Sequence, residues 1–256
     1  MLDLHCHVLP GIDDGPRSLD ESVALCRAAQ REGTRTLVAT PHVNGDYPDV
    51  TAAVILDQTA AVNRALRDAG VDVTVLRGAE VALSRVGELG DLELKQLSLA
   101  GGPYVLLELP WTSAPSGAMA ALRAFASRGY GVLLAHPERS PMLQRDEALV
   151  DELVRSGALC CLDVGSLGER AERQTRSMAW RLLSGGLAHA IASDCHDPVR
   201  RPPRLASVLE QAGLSAAQID YFVREAPKAI LSGEELSAPP RVEDRRRRGW
   251  LGRRRG

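Results

Sequence analysis

The chain has 256 residues, 45% of them hydrophobic and 25% charged, with a formal net charge of −2. That balance supplies enough apolar surface for a sizeable core and excludes a disordered chain, a fibre and a bundle of membrane helices. The chain opens directly into a strand-like run without a basic leader and holds no apolar stretch of about eighteen residues, so a cytoplasmic protein is expected.

Strand and helix signals alternate from end to end, which predicts βα units and a mostly parallel sheet in one α/β domain. Strand-like runs fall at 1–7, 35–40, 71–78, 104–109, 131–135, 159–163 and 188–192, and that many strands fit a barrel better than a small sandwich. Ser18-Leu-Asp-Glu21 has the capping-box pattern and opens a helix that turns Val23, Cys26 and Ala29 inward before stopping near Gly33. Thr51 begins a second helix, with Ile55, Val62 and Leu66 at helical spacing before Gly70. Further helices are expected at 115–128, 145–156, 167–184, 204–212 and 215–230. With no internal repeat and no linker before residue 237, the globular domain is placed at 1–236. Residues 237–256 read as a disordered tail after Pro239-Pro240. Its arginines, Arg241, Arg245–Arg248 and Arg253–Arg255, face only Glu243 and Asp244, so the body is more acidic than the whole chain. The Arg245–Arg255 block could meet anionic lipid, acidic protein or nucleic acid, or be a solvated terminus.

Five of the six histidines lie in motifs that follow strand-like runs. His5 and His7, two residues apart, project from one face of the first strand and can share an ion. The loop Gly11-Ile-Asp13-Asp14-Gly15-Pro16 adds a carboxylate, Asp14 being the candidate ligand, while either aspartate could cap a turn. His42 follows the second strand, Glu80 the third, and Glu108 sits between leucines in the fourth. A glutamate there needs a cationic partner, either a metal or an arginine. His136 follows the fifth strand, and Asp194 and His196 repeat the two-residue spacing after the last. His189 lies at the start of that strand and is expected to pack or to sit at the surface, not to ligate.

Those nine side chains, His5, His7, Asp14, His42, Glu80, Glu108, His136, Asp194 and His196, are too many for one tetrahedral ion and suit three. Three divalent ions would outweigh the four carboxylates, which favours an anionic substrate such as a phosphate ester. Arg139 and Arg201 should overhang the mouth, and guanidinium forks match phosphate oxygens. The five cysteines, Cys6, Cys26, Cys160, Cys161 and Cys195, lack C-x-x-C spacing and suit a reducing compartment; Cys6 and Cys195 should point away from the neighbouring ligands.

The ordered set of motifs resembles the polymerase and histidinol phosphatase (PHP) superfamily. Within it, Leu9-Pro-Gly-Ile-Asp-Asp-Gly-Pro16 and Arg201-Pro-Pro203 resemble the bacterial capsule and exopolysaccharide tyrosine-protein phosphatases, over roughly residues 1–232. The resemblance implies a distorted (β/α)7 barrel with its site at the C-terminal strand ends. It also implies a trinuclear centre usually assigned to manganese, with iron or zinc as alternatives. The implied substrate is the phosphorylated tyrosine-rich tail of a bacterial tyrosine kinase that controls capsule synthesis. One ion would take His5, His7 and Asp194, with Glu80 bridging to a second held by Glu108 and His136. The third would use Asp14, His42 and His196, and Arg139 and Arg201 would grip the phosphoryl oxygens. The arginine tail departs from the family pattern. With aromatics at 4%, Trp111 is the ring nearest Glu108, and core packing is expected of it.

Other readings compete. Histidinol phosphate or another small phosphomonoester would use the same ions. A cysteine phosphatase is suggested by the C-x5-R spacing of Cys195 and Arg201, but Pro198 removes a donor from such a loop and Asp194 adds repulsion. An amidohydrolase shares the His-x-His opening but needs a bridging lysine, and Lys95 and Lys228 lie on no expected strand end. A non-catalytic anion-binding or nucleic-acid-binding module would not need nine ligands.

Overall fold

The computed structural model describes residues 1–110 and 115–243. In chain order, β1 (Leu2–Cys6), α1 (Leu19–Arg31), β2 (Thr36–Ala39), β3 (His42–Val43), α2 (Ala52–Asp68), β4 (Thr74–Arg77), β5 (Glu80–Ala82) and α3 (Asp91–Leu97) make the first half. The second half holds β6 (Tyr104–Glu108), α4 (Pro115–Ala126), β7 (Gly131–Ala135), α5 (Pro141–Arg145), α6 (Glu147–Arg155), β8 (Leu159–Asp163), α7 (Arg173–Ser184) and β9 (Ala190–Ala192). Three short elements close it: α8 (Ala206–Gln211), α9 (Ala216–Asp220) and, after a π-helical turn, α10 (Ala226–Ser232).

All pairings are parallel, in the orders β1-β2-β4 and β3-β5-β6-β7-β8-β9. The two sheets are linked, because Ala39 faces Arg77 and His42 faces Glu80 at the same sequence offset. Pro41, which lacks an N–H, interrupts the ladder between them. The predicted strands at 35–40 and 71–78 therefore run on, past the break, into β3 and β5. Gly78 fits the crowded crossing, since a Cβ there would stand 2.9 Å from Val38 Cγ1. At the other edge, Asp194 N donates to His5 O (3.0 Å) and His7 N to Cys195 O (2.9 Å), setting the first strand beside the chain that leaves β9.

Both faces of the strands are buried, as parallel sheets require. Leu37, Val75, Val81, Leu107, Leu134 and Leu162 join the large apolar cluster that also holds helix residues such as Ile55, Val62, Phe125 and Leu182. On the opposite face Leu4, Val38, Leu106, Leu133, Cys161 and Ala190 form a second cluster with Leu99 and Ile230.

The helix expectations hold in outline and need correction in detail. Ser18 caps α1 by accepting from Glu21 N (3.2 Å), but the Glu21 carboxylate accepts from Arg17 N (2.6 Å) and leaves the box open. A reciprocal box forms instead between Ser215 and Gln218 at α9. The helix expected at 145–156 runs from Glu147 to Arg155 as α6, because Asp146 ends the separate α5 and caps α6. α7 begins at Arg173, with a 3₁₀ turn at Val164–Leu167 before it. α3 is unforeseen: it is one short stretch, capped by Gly90 without a side-chain bond. The chain stays against the body past residue 237, since Tyr221 Oη donates to Ser237 O and Gln218 Nε2 to Arg241 O, both at 2.7 Å, and Val242 is buried. Trp111 and the Arg245–Arg255 block lie outside the described residues. No described helix is long and apolar enough to cross a membrane.

Candidate metal centre

Parallel strands put all their C-terminal ends on one side, and the nine predicted side chains meet there. Glu80 is the hub. Its Oε1 accepts from His136 Nε2 at 2.8 Å, while Oε2 lies 3.0 Å from His42 Nδ1 and 3.4 Å from both His5 Nε2 and His7 Nε2. Asp194 Oδ1 stands 3.4 Å from His5 Nε2 and 3.6 Å from His7 Nε2. Asp14 Oδ1 faces His196 Nε2 at 3.1 Å and His42 Nε2 at 3.6 Å, and Glu108 Oε2 is 3.8 Å from His42 Nδ1. His136 and Asp194 reach the cluster from left-handed backbone, at φ 30° and 47°. Such strain costs about 1–3 kcal/mol per residue and collects at functional sites.

The donor set fits divalent cations. Three groups, His7-Asp14-His42-His196, His5-His7-Glu80 and His42-Glu80-Glu108, each bring their ligand atoms within 4.8 Å of one another. These groups overlap at His7, His42 and Glu80, so their ligand atoms form one continuous cluster. Glu80 Oε2, His42 Nδ1 and His196 Nε2 are buried and make no hydrogen bond despite their close neighbours, as lone pairs directed at a common ion would.

Electrostatics point the same way. Burial draws the Glu80 carboxyl upward, but the His5 charge and the His136 hydrogen bond outweigh it and hold Glu80 well below the usual carboxylate range. Against the same cost of burial, the bond to Glu80 lifts His136 to about 9. Burial opposes Asp14 likewise, yet the His196 ring 3.1 Å away brings it down to about 2. Glu108 moves the other way, raised by burial and by the Glu80 charge. Imidazoles paired in this manner attract protons, and a divalent ion satisfies the same carboxylates without them.

Both predicted arginines overhang the cluster. Arg139 Nη1 donates to Asp194 Oδ2 at 2.6 Å, and Arg201 Nη2 donates to the same oxygen. Their side chains are 28% and 39% exposed, so both remain open to an incoming anion.

Several residues escaped the sequence reading. Asp13 is the aspartate that caps the turn, accepting from Gly15 N (3.0 Å), and its other oxygen holds His7 Nδ1 at 2.7 Å. Tyr47 stacks on His42 with centroids 5.7 Å apart. Asp163 ends β8 and lies 3.7 Å from Arg139 Nη1, and buried Glu138 accepts from Asp163 N at 2.9 Å. The signals were a second aspartate beside Asp14, one tyrosine in a polar loop and a carboxylate ending a strand, each too common alone to mark a site.

The rival chemistries lose their parts. Cys195 is buried, with its Sγ 3.0 Å from Cys6 Sγ. The N–H groups of Val199, Arg200 and Arg201 all donate to the Asp197 carboxylate, so the loop offers no cradle for phosphate. Lys95 and Lys228 are exposed on α3 and α10, away from any strand end. His189 accepts from Cys160 N through Nδ1 (3.0 Å), a packing role.

Comparison with known proteins extends over the same frame. Tyrosine-protein phosphatase YwqE of Bacillus subtilis (strain 168) is 31% identical over 253 residues, 97% of this chain and 98% of its own. Tyrosine-protein phosphatase CpsB of Streptococcus pneumoniae is 28% identical over 90% of this chain and 98% of its own. A solved structure, described as YwqE and CpsB, unique metal-dependent tyrosine phosphatases, superposes with TM-score 0.80 at 29% identity, over 95% of this chain and 100% of that one. The model of capsular polysaccharide synthesis proteins, CpsB/CapC, matches residues 1–231, which hold every described strand and every ligand of the cluster, and the chain therefore belongs to that family.

Proposed function

We propose that this protein is a metal-dependent phosphatase of phosphotyrosine. In the cytoplasm it acts on the tyrosine-rich tail of a bacterial tyrosine kinase that controls capsule or exopolysaccharide synthesis. The names of the relatives support the substrate class. The observation from this chain that carries the chemistry is the convergence of nine metal-type side chains, seven in overlapping groups and His136 and Asp194 against Glu80 and His5, beneath two arginines. The frame is read as a distorted (β/α)7 barrel over residues 1–236. Its support is the seven parallel strand paths, the inner apolar cluster and the hydrogen bonds from β1 to the chain after β9.

Three divalent ions, manganese first and iron or zinc as alternatives, would be held by His5, His7, Asp14, His42, Glu80, Glu108, His136, Asp194 and His196. Bound there, they would supply an activated water and positive charge opposite the phosphoryl oxygens. Arg139 and Arg201 orient the phosphoryl group: their heads converge on one carboxylate oxygen, and a phosphoryl oxygen is the same kind of acceptor. Asp13 fixes the His7 ring so that Nε2 faces the cluster.

The test compares manganese-reconstituted protein on a phosphotyrosyl peptide and on histidinol phosphate, with and without a chelator. Turnover of the peptide should dominate and vanish on chelation, while Cys195→Ser should keep its rate. Faster hydrolysis of histidinol phosphate would overturn the substrate. Activity that survives chelation but not the serine substitution would overturn the mechanism.

A further inference from the structure

Every strand path except one delivers ligands to the cluster: β1 and the loop after it give three, His5, His7 and Asp14, the chain after β9 gives two, and β3, β5, β6 and the residue after β7 give one each. β8 gives none, yet it too ends on a carboxylate, Asp163. Along β8, Asp163 shares its face with Leu159 and Cys161, which belong to the inner apolar cluster, so it projects to the same mouth as the ligands. One oxygen accepts from Gly165 N at 2.8 Å. The other points at Arg139 Nη1 from 3.7 Å, too far for a hydrogen bond, and the side chain keeps 18% of its surface exposed.

Asp163 and Arg139 also line a cavity of about 510 Å³ whose walls include Pro141, Gln144, Ala171 and Thr175. That volume holds a phenol ring and its backbone. A phosphoryl group gripped by Arg139 can thus leave its aryl oxygen on the cavity side, where two carboxyls line the wall, Asp163 and Glu172, and Asp163 is the one paired with Arg139.

We propose that Asp163 is the general acid that protonates the departing tyrosyl oxygen. The inference rests on the phosphatase reading above. In the step, the water oxygen bonds to phosphorus while the bond from phosphorus to the phenolic oxygen breaks, its electron pair passing to that oxygen. The phenolic oxygen takes the proton of the Asp163 carboxyl. Water keeps one hydrogen on the phosphate and releases the other, and Asp163 is reprotonated from solvent, so phosphomonoester and water give tyrosine and hydrogen phosphate. The groups facing Asp163 are Arg139, Glu138, Asp194 and His136. Burial pushes its carboxyl above the usual range, and Arg139 opposes it.

General acid catalysis matters most for a poor leaving group and least for one that departs as a stable anion. Asp163→Asn should therefore lower kcat/KM on a phosphotyrosyl peptide about 100-fold or more, yet leave dinitrophenyl phosphate close to wild type. Calorimetric binding of inorganic phosphate and the metal content should be unchanged. Equal losses on both substrates, or a parallel loss of phosphate binding, would show that Asp163 only orients Arg139 and would overturn the proposal, as would full activity on the peptide. Should the variant fold or load poorly, the wild-type enzyme decides across aryl phosphates of graded acidity. A shallow dependence on the leaving group supports an acid, and a steep one overturns it. Wild-type turnover of the aryl phosphates without the peptide would instead sink the substrate reading alone.

Discussion

His7 is held at both ends of its ring. Nδ1 gives its proton to Asp13 at 2.7 Å, which leaves Nε2 to face His5, Glu80 and Asp194. Asp13 in turn sits in a turn that only glycine closes, because a Cβ on Gly15 would come within 2.7 Å of His7 O. Asp13→Asn should weaken cation binding by about 10–100-fold, the usual cost of losing a carboxylate behind a ligating histidine. Titration of metal-free protein with manganese measures it, and an unchanged affinity would remove Asp13 from the site. The ligands themselves were legible because His-x-His and Asp-x-His carry their geometry in their spacing. Asp13 was not separable from Asp14, because the direction of a turn decides which carboxylate looks inward. Asp163 stands alone in sequence and acquires meaning only from Arg139 across a neighbouring strand end.

β8 and β9 show how one element can serve opposite purposes at its two ends. The C-terminal end of β8 presents Asp163, whereas near the start of both strands His189 exchanges bonds with Cys160, its own N donating to Cys160 O and its Nδ1 accepting from Cys160 N. Burial lowers His189 from 6.5 to about 4. The folded state thus binds fewer protons than the unfolded state between those values. Stability contributed by the neutral ring is complete above the unfolded value and is lost as pH falls through the window, by up to about 3 kcal/mol. His189→Asn retains an acceptor near Nδ1 and removes the titration, so its melting temperature should fall less steeply than wild type between pH 7 and 4.5. Parallel melting curves would refute this role for His189; the cluster histidines titrate in both proteins and cancel. Alternating apolar runs made the strands visible, but not the interruption at Pro41, because apolar pattern does not report a missing ladder bond. α3 was missed for a related reason: it is too short to show a period and has no capping side chain.

The molecule as a whole is polarised along its strands. One face of the strands is packed with apolar groups, Leu99, Ile230 and Leu231 among them, and the C-terminal strand ends carry charged groups that repel or pair according to what they hold. The cluster draws on β1 at the start of the chain and on Asp194 and His196 near its end, so occupied sites would tie together segments separated by almost the whole sequence. Such ties bind the folded state and not the unfolded one, and ligand at about 100 times its dissociation constant adds about 2.7 kcal/mol per site. For a protein of this size 1 kcal/mol moves the melting point by about 2–4 °C. Manganese should therefore raise it by at least about 5 °C over chelated protein, and the increment should grow with free metal. The chelated form should still unfold cooperatively, because Glu80 and Asp194 keep their pairing with His136, Arg139 and Arg201. A melting point indifferent to metal would mean that these side chains stabilise one another without needing an ion, and the hydrolytic reading would fall with it.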